Sequence, residues 1–282
     1  MARSSDISPI SQVLVRADAV AEGAESPDTI ATGFPSLDKI LGGGVRRGDL
    51  VVLGGDVGSG KSAFSLAIAM RVAQRRQQVA FYSGEMSSER LLERALAIEG
   101  RVRIDDLRQG VPNEVARAAV GAAAVRLRDQ MPRLEALPIG GVPALLTAIE
   151  GDKLDLLIVD SLQWLASGSK SMDEELADAI RRLKSLALER HLAILTTSHL
   201  PNLTAREDRR PHLDDFGALG TVKQHADVVL ALFREDMYDR RREIEGATEL
   251  LIRKNRNGGT GYVDLYFYAQ WMRFEDMVDP DR

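Results

Sequence analysis

The chain of 282 residues has no cysteine. That excludes disulfides, thiolate-held zinc and thiol catalysis. It has no apolar run long enough to span a membrane, and no apolar signal-type stretch at its start. Both absences make a cytoplasmic protein with no membrane partner the expectation. It also lacks net positive charge. Lys and Arg total 37 against 42 Asp and Glu, a formal charge of −5. Any contact with nucleic acid must therefore come from a local basic surface. Lysine itself is rare, with seven in the whole chain, two of them Lys61 and Lys254. No internal repeat is evident. What remains is an ordinary apolar content of 44%, enough for the core of one large α/β domain or two small ones.

Against that background one stretch stands out: Gly55-Asp56-Val57-Gly58-Ser59-Gly60-Lys61-Ser62. It fits the phosphate-binding pattern G-x-x-x-x-G-K-[ST]. The apolar run Leu50-Val51-Val52-Leu53 precedes it, and an Ala- and Leu-rich helical segment starts with Ala63. Strand, loop and helix is the context the pattern requires. Glycines let backbone N–H groups turn towards an anion, and the helix N-terminus adds partial positive charge. Residues 55–63 are thus the expected nucleotide cradle. Lys61 should reach the β- and γ-phosphates, and the Ser62 hydroxyl should ligate Mg²⁺.

The rest of the chain alternates strands and helices. Residues 1–8 are polar and expected to be disordered. Ser8-Pro9 should open a helix with Ile10, Val13, Leu14, Ala17 and Val20 on one stripe, ending near Gly23. That stripe must fold back on its own domain or dock on a neighbouring subunit. Strands are expected at 50–53, 78–83, 134–139, 154–160, 192–197, 226–233, 247–255 and 262–268. Helices should follow the phosphate loop and cover 87–99, 113–129 and the segment opened by the capping box Ser171–Glu174. Asn257-Gly258-Gly259-Thr260-Gly261 signals a hairpin. The fold class is therefore α/β: a mostly parallel sheet, helices on both faces, and an antiparallel hairpin near the C-terminus. Ligands in such sheets sit beyond the carboxyl ends of the strands. Lys61, Glu85, Asp160 and His199 all fall just past such ends. Asp160 closes an apolar run and is placed to hold Mg²⁺, and Glu85 is placed to orient and polarise water. Lys254 and Arg256, two apart on one strand, share a face.

These motifs resemble the ATPase domain of the DnaB family of replicative hexameric helicases across residues 31–275. The resemblance is carried by Thr32-Gly33-Phe34 with Leu37-Asp38, the phosphate loop, Ser83-Gly84-Glu85-Met86-Ser87, Val159-Asp160-Ser161-Leu162-Gln163, Arg210-Pro211-His212-Leu213-Asp214-Asp215, Gln224-His225-Ala226-Asp227-Val228-Val229 and Lys254-Asn255-Arg256-Asn257-Gly258. It implies a RecA-like ATPase domain over 31–282, preceded by a tail, linker helix and linker over 1–30. It implies Glu85 as catalytic glutamate, and Lys254 with Arg256 as a lysine and arginine finger given in trans. It implies a linker helix packed on the adjacent subunit, ATP and Mg²⁺ between subunits of a hexamer, and single-stranded DNA as partner, with a replication or recombination protein as a possible further one.

Three departures qualify the resemblance. Only about thirty residues precede the core here, so the family's large primase-recruiting N-terminal domain is not expected. The family's DNA loop Arg-Glu-Ser-Gly reads Gly217-Ala218-Leu219-Gly220, so its charges are gone. His199 stands where the family has a glutamine that senses the γ-phosphate, and a histidine, unlike a glutamine, titrates near neutral pH. Gly42-Gly43-Gly44 with Ser83-Gly84-Glu85 is also similar to RadA-type recombination ATPases and KaiC-like ATPases. The expected function is an ATP-hydrolysing ring motor of the DnaB helicase type. A RadA-like recombination ATPase, or a KaiC-like ATPase or helicase partner without unwinding activity, stands as the alternative. DNA affinity is expected to rest on Arg206, Arg209, Arg210 and Lys223. His191, His212 and His225 are expected to be surface or structural, Trp164 and Trp271 core or interface, and Arg240-Arg241-Arg242 a solvated loop.

Overall fold

A β-strand sends alternate side chains to opposite faces. In the computed structural model Val51 and Leu53 join one hydrophobic core, while Leu50 and Val52 join another. Two cores meeting on one strand mean a sheet covered on both sides. The structure describes residues 9–23, 26–110, 113–201, 203, 206–238 and 245–277. The expected disorder of 1–8, the Ser8 cap and the run Arg240–Arg242 lie outside them.

In chain order the elements are α1 (Pro9–Ala21), β1 (Thr29–Ile30), α2 (Pro35–Ile40), β2 (Val45–Arg46), β3 (Leu50–Gly55), α3 (Lys61–Gln74), β4 (Val79–Ser83) and α4 (Ser88–Gly100). Then come α5 (Ile104–Gln109), α6 (Glu114–Arg128), β5 (Arg133–Ala136), α7 (Gly141–Ala148), β6 (Leu156–Asp160), α8 (Met172–Arg190) and β7 (Ala193–His199). The chain continues through α9 (Thr221–His225), β8 (Val228–Phe233), β9 (Ala247–Asn255), β10 (Gly261–Tyr268) and β11 (Arg273–Asp276). The nine-stranded sheet has the order β11-β10-β9-β8-β3-β7-β6-β4-β5. From β8 to β5 all pairs are parallel; β9, β10 and β11 are antiparallel.

Helix ends follow the local chemistry. The Asn113 side chain accepts from the Ala116 amide, and Ser171 and Glu174 complete their capping box. Leu176, Ile180, Leu183 and Ala187 of α8 are buried, as their spacing requires. On the other face α3, which carries Phe64, is sunk between the sheet and three further phenylalanines. Phe34 lies 4.7 Å from Phe64, Phe64 lies 5.3 Å from Phe274, and Phe274 lies 4.4 Å from Phe267. The chain has only seven phenylalanines, so more than half lie on or against the helix that follows the phosphate loop. Each such pair adds about 0.5–1.5 kcal/mol beyond the area it buries.

The segment at 32–38 also has a structural role. The Asp38 carboxylate accepts from Thr32 N at 2.8 Å, Thr32 Oγ1 at 2.7 Å and Gly33 N at 3.1 Å. Burial raises its pKa, against those bonds. This clasp seats Phe34 and Leu37, both fully buried, and Arg71 stacks over the Phe34 ring at 3.8 Å.

The structure adds to the expectation in four places. Of the two readings of the α1 stripe, folding back on its own domain is not seen, since Ile10 is 73% exposed and Leu14 58%. The small β1–β2 pair is too short to carry a period. The β9–β10 hairpin does not end the sheet, because β11, with a single apolar residue among its four, forms the edge. Trp164, expected in core or interface, is not in the core: it is 56% exposed and lies over Gly84. No helix among the described residues is long and apolar enough to cross a membrane.

Candidate active site

The phosphate loop leaves β3 through backbone that only glycine adopts freely. Gly58 has φ 83° and Gly60 φ 100°. A Cβ at Gly60 would lie 2.7 Å from the Phe274 ring, and one at Gly55 would lie 2.6 Å from Ser59 Oγ. The loop is thus wrapped closely around its own groups. Lys61 is 6% exposed, and its Nζ donates to the carbonyls of Gly55 at 3.0 Å and Asp56 at 2.9 Å. Burial lowers its pKa; Glu85, Asp160 and Asp56 oppose that shift.

Beside it, the Ser62 hydroxyl donates to Asp160 Oδ1 at 3.1 Å, and Thr197 Oγ1 donates to the same oxygen at 2.6 Å. Asp160 is 1% exposed, and burial raises its pKa. Its Oδ2 is buried without a partner among the described residues, and so is Ser59 Oγ. A buried carboxylate oxygen with no donor, next to a serine hydroxyl, fits a hard divalent cation.

Three neighbouring strand ends carry the remaining groups. Glu85 follows β4, Asp160 ends β6 and His199 ends β7, in the sheet order β7-β6-β4. His199 Nε2 lies 2.7 Å from Glu85 Oε1, and Ser161 Oγ donates to the same oxygen at 3.0 Å. Gln163 grips the His199 backbone, accepting from its N–H at 3.3 Å and donating to its carbonyl at 3.4 Å. Lys61, Ser62, Glu85, Asp160 and His199 are therefore brought to one place.

Lys254 and Arg256 are not part of that place. Lys254 Nζ donates to the carbonyls of Lys223 at 2.7 Å and Ala226 at 2.5 Å. Arg256 stands one residue past β9 and donates to Asp227 Oδ1 at 3.2 Å. The Asp227 amide in turn donates to the Leu50 carbonyl, at the start of β3. The six residues of β3 separate that end from the phosphate loop, a span of about 17 Å. The two cations do share a neighbourhood, but it lies at the opposite end of the strands.

The basic residues expected to meet DNA have partners of their own. Arg206 forms a two-point pair with Asp215 at 2.7 and 2.9 Å, and Arg210 one with Glu249 at 2.6 and 2.8 Å. Lys223 pairs with Asp214 at 2.8 Å, and Arg209 lies over the Tyr238 ring at 5.3 Å. Sequence shows the charges but not the carboxylates that meet them. The segment 217–220 is a tight turn with positive φ throughout. Ala218 is buried, its amide donating to Asp173 Oδ1 at 3.1 Å, while Leu219 is 64% exposed at the tip.

Sequence reasoning missed three site residues. Arg94 is half-buried on α4, three residues after the buried Leu91 and four before the buried Ile98. Burial lowers its pKa, while Asp160 and Glu85 oppose the shift. An arginine on the apolar stripe of a helix was the available signal. Tyr238 and Arg234 follow β8. The Tyr238 hydroxyl donates to Asp56 Oδ2 at 2.8 Å, and burial first, then Asp56, pushes it up to about 12. Arg234 reaches the Gly58 carbonyl at 3.5 Å. Nothing in their local sequence marks them.

The family model described as DnaB-like helicase C terminal domain matches residues 29–276. The chain is 32% identical over 260 residues to the "Replicative DNA helicase DnaC" of Bacillus subtilis (strain 168), covering 88% of this chain and 56% of that protein. It is 31% identical over 260 residues to the "Replicative DNA helicase DnaB" of Geobacillus stearothermophilus, with the same coverage of 88% and 56%. The chain thus spans about half the length of the curated relatives it matches. Among solved structures it resembles a DnaB-like replicative helicase, one described together with its interactions with primase. The TM-score is 0.84 at 24% identity, covering 97% of this chain and 68% of that one. A KaiC-like protein, PH0186 from Pyrococcus horikoshii OT3, gives a TM-score of 0.62 at 14% identity, covering 89% and 99%. At these identities the structures show the fold, a RecA-like ATPase fold.

Proposed function

Because this chain belongs to the DnaB-like helicase C-terminal domain family, we propose that it binds and hydrolyses Mg²⁺-ATP as a ring-forming motor acting on single-stranded DNA. In this reading residues 1–30 are a tail and linker, and 31–282 the motor domain. One observation carries it: Lys61, the Ser62–Asp160 pair, Glu85 and His199 converge at the carboxyl ends of adjacent strands. ATP phosphates fit the curl of 55–62, and Lys61 Nζ exchanges two backbone carbonyls for phosphate oxygens. Ser62 and Asp160 would hold Mg²⁺, which supplies positive charge against the β- and γ-phosphate oxygens. The free oxygen of Glu85 orients the water. Arg256 and Lys254 lie a strand's length from their own loop, and in this reading they serve the nucleotide of a neighbouring copy, at sites between subunits of a hexamer.

The test is ATP turnover of two variants. Glu85→Gln is expected to bind ATP as the wild type does and to lose about 10²-fold or more in rate. Lys61→Ala should weaken binding itself. A Glu85→Gln chain that hydrolyses at the wild-type rate would place the water-orienting group elsewhere.

One observation favours a second reading, an oligomeric ATPase that accompanies a helicase without gripping DNA. The 217–220 turn carries no charge, and Arg206, Arg210 and Lys223 are each paired with a carboxylate. A single-stranded DNA titration under assembly conditions separates the two. Binding partners from replication or recombination belong to either reading.

A further inference from the structure

The side chain of His199 meets Glu85 across an intervening strand. β7 and β4 are not neighbours; β6 lies between them. The contact is possible because the turn after β6 serves both sides. Its first residue, Ser161, donates to Glu85 Oε1 at 3.0 Å. Its third, Gln163, fixes the end of β7 through the His199 N–H and carbonyl, and donates to Ser198 Oγ at 3.2 Å. With the backbone so held, the imidazole reaches Glu85 Oε1 at 2.7 Å. A carboxylate can only accept there, so Nε2 carries the ring proton in this arrangement. The other ring nitrogen, Nδ1, is buried without a hydrogen-bond partner among the described residues. Oε1 thus takes two donors, from two strand ends. Glu85 Oε2 has no protein partner among the described residues and stays available to a water.

We propose that His199 is the positioning residue of Glu85: together with Ser161 it fixes the carboxylate that orients the attacking water, rather than reading the γ-phosphate itself. This deepens, and rests on, the ATPase reading above. A carboxylate on three rotatable bonds must be held if water is to meet phosphorus in line, and a misplacement of about 1 Å can cost on the order of 10²-fold in rate. The imidazole does this with a rigid ring and a single donor.

The experiment is a cycle of His199→Ala, His199→Gln, Glu85→Gln and the Glu85→Gln/His199→Ala double variant, read by single-turnover hydrolysis and by ATP and ADP affinity. His199→Ala is expected to lose about 10²-fold in rate with both affinities unchanged, which also shows that it folds. His199→Gln keeps a donor and should recover at least part of that loss. On the Glu85→Gln background His199→Ala should cost nothing further, because the group it positions is gone. A selective loss of ATP over ADP affinity, or an undiminished loss on the Glu85→Gln background, would mean direct contact with the γ-phosphate and overturn the proposal. So would wild-type turnover by His199→Ala. If instead the wild type does not hydrolyse ATP, or Glu85→Gln alone keeps its rate, the ATPase reading fails and this proposal with it.

Discussion

At the scale of single residues, the carboxylates show most clearly what one side chain can organise. Glu175, in the first turn of α8, is buried and accepts from the amides of Ser167, Gly168, Ser169 and Lys170 and from two serine hydroxyls. The Lys170 amide is the main cause, with Gly168 and Ser167 adding to it, of a carboxyl lowered from 4.5 to about 2. The folded value lies below the unfolded one. Its contribution to stability is therefore complete above pH 4.5 and is lost as pH falls towards about 2. Glu175→Gln should lower the urea midpoint at neutral pH, and the gap from wild type should close by about pH 2. Asp227 makes a different case. It is 5% exposed and accepts from Lys184 Nζ at 2.6 Å, the Leu50 amide at 2.8 Å and Arg256. Asp227→Ala leaves the half-buried Lys184 ammonium with the Gly48 carbonyl but no carboxylate, and denaturant unfolding should report a loss of about 3 kcal/mol. Sequence alone made Lys61, Ser62, Glu85 and Asp160 legible, because each stands at a strand end or in a patterned loop. It did not show what they touch. Ser161 and Glu85 are brought together across 76 positions and His199 and Glu85 across 114, and no local period encodes such a contact.

At the scale of elements, the strands that alternate with helices were legible because an apolar run flanked by turns has few other uses. The short pieces were not. β11 reads Arg-Phe-Glu-Asp and shows no period, yet it fastens α3. Phe274 packs under Gly60, Glu275 meets Arg71 at 3.3 Å, and Asp276 accepts from the Ser36 amide at 2.8 Å. Phe274→Ala should cost about 3–5 kcal/mol in unfolding free energy and weaken ATP binding, since the loop loses its support. α1 is the reverse case: its helix was legible, but nothing among the described residues covers its stripe. Ile10, Val13, Leu14 and Val20 are 73%, 52%, 58% and 43% exposed. An apolar stripe left in water favours association. A chain lacking residues 1–28 should sediment as a smaller species than the full chain at equal concentration; an unchanged assembly would mean that the stripe is not what joins the subunits.

For the whole molecule, the two ends of the sheet divide the work. The cradle lies at the carboxyl ends of the parallel strands, and Arg256 lies at their amino ends beside Asp227. Arg256→Ala should bind ATP near normally and lose about 10³-fold or more in turnover, as arginine fingers do elsewhere. Mixing it with Lys61→Ala should restore activity above either variant alone, because some interfaces then pair an intact cradle with an intact finger. If mixed assemblies form and nothing is recovered, Arg256 acts within its own subunit or only packs. With net charge −5 and its basic loop already neutralised, the molecule should bind single-stranded DNA weakly. The slope of log affinity against log salt should be shallow, a few phosphate contacts' worth. The fastening of the phosphate loop by β11 also has a consequence for synthesis. Gly60 leaves the ribosome some two hundred residues before Phe274, on the order of 10–40 s at usual elongation rates. For that interval the nascent chain carries the complete nucleotide signature without the ring that braces it. If Phe274→Ala weakens nucleotide binding as expected, an unfinished chain lacking β11 should likewise capture nucleotide poorly.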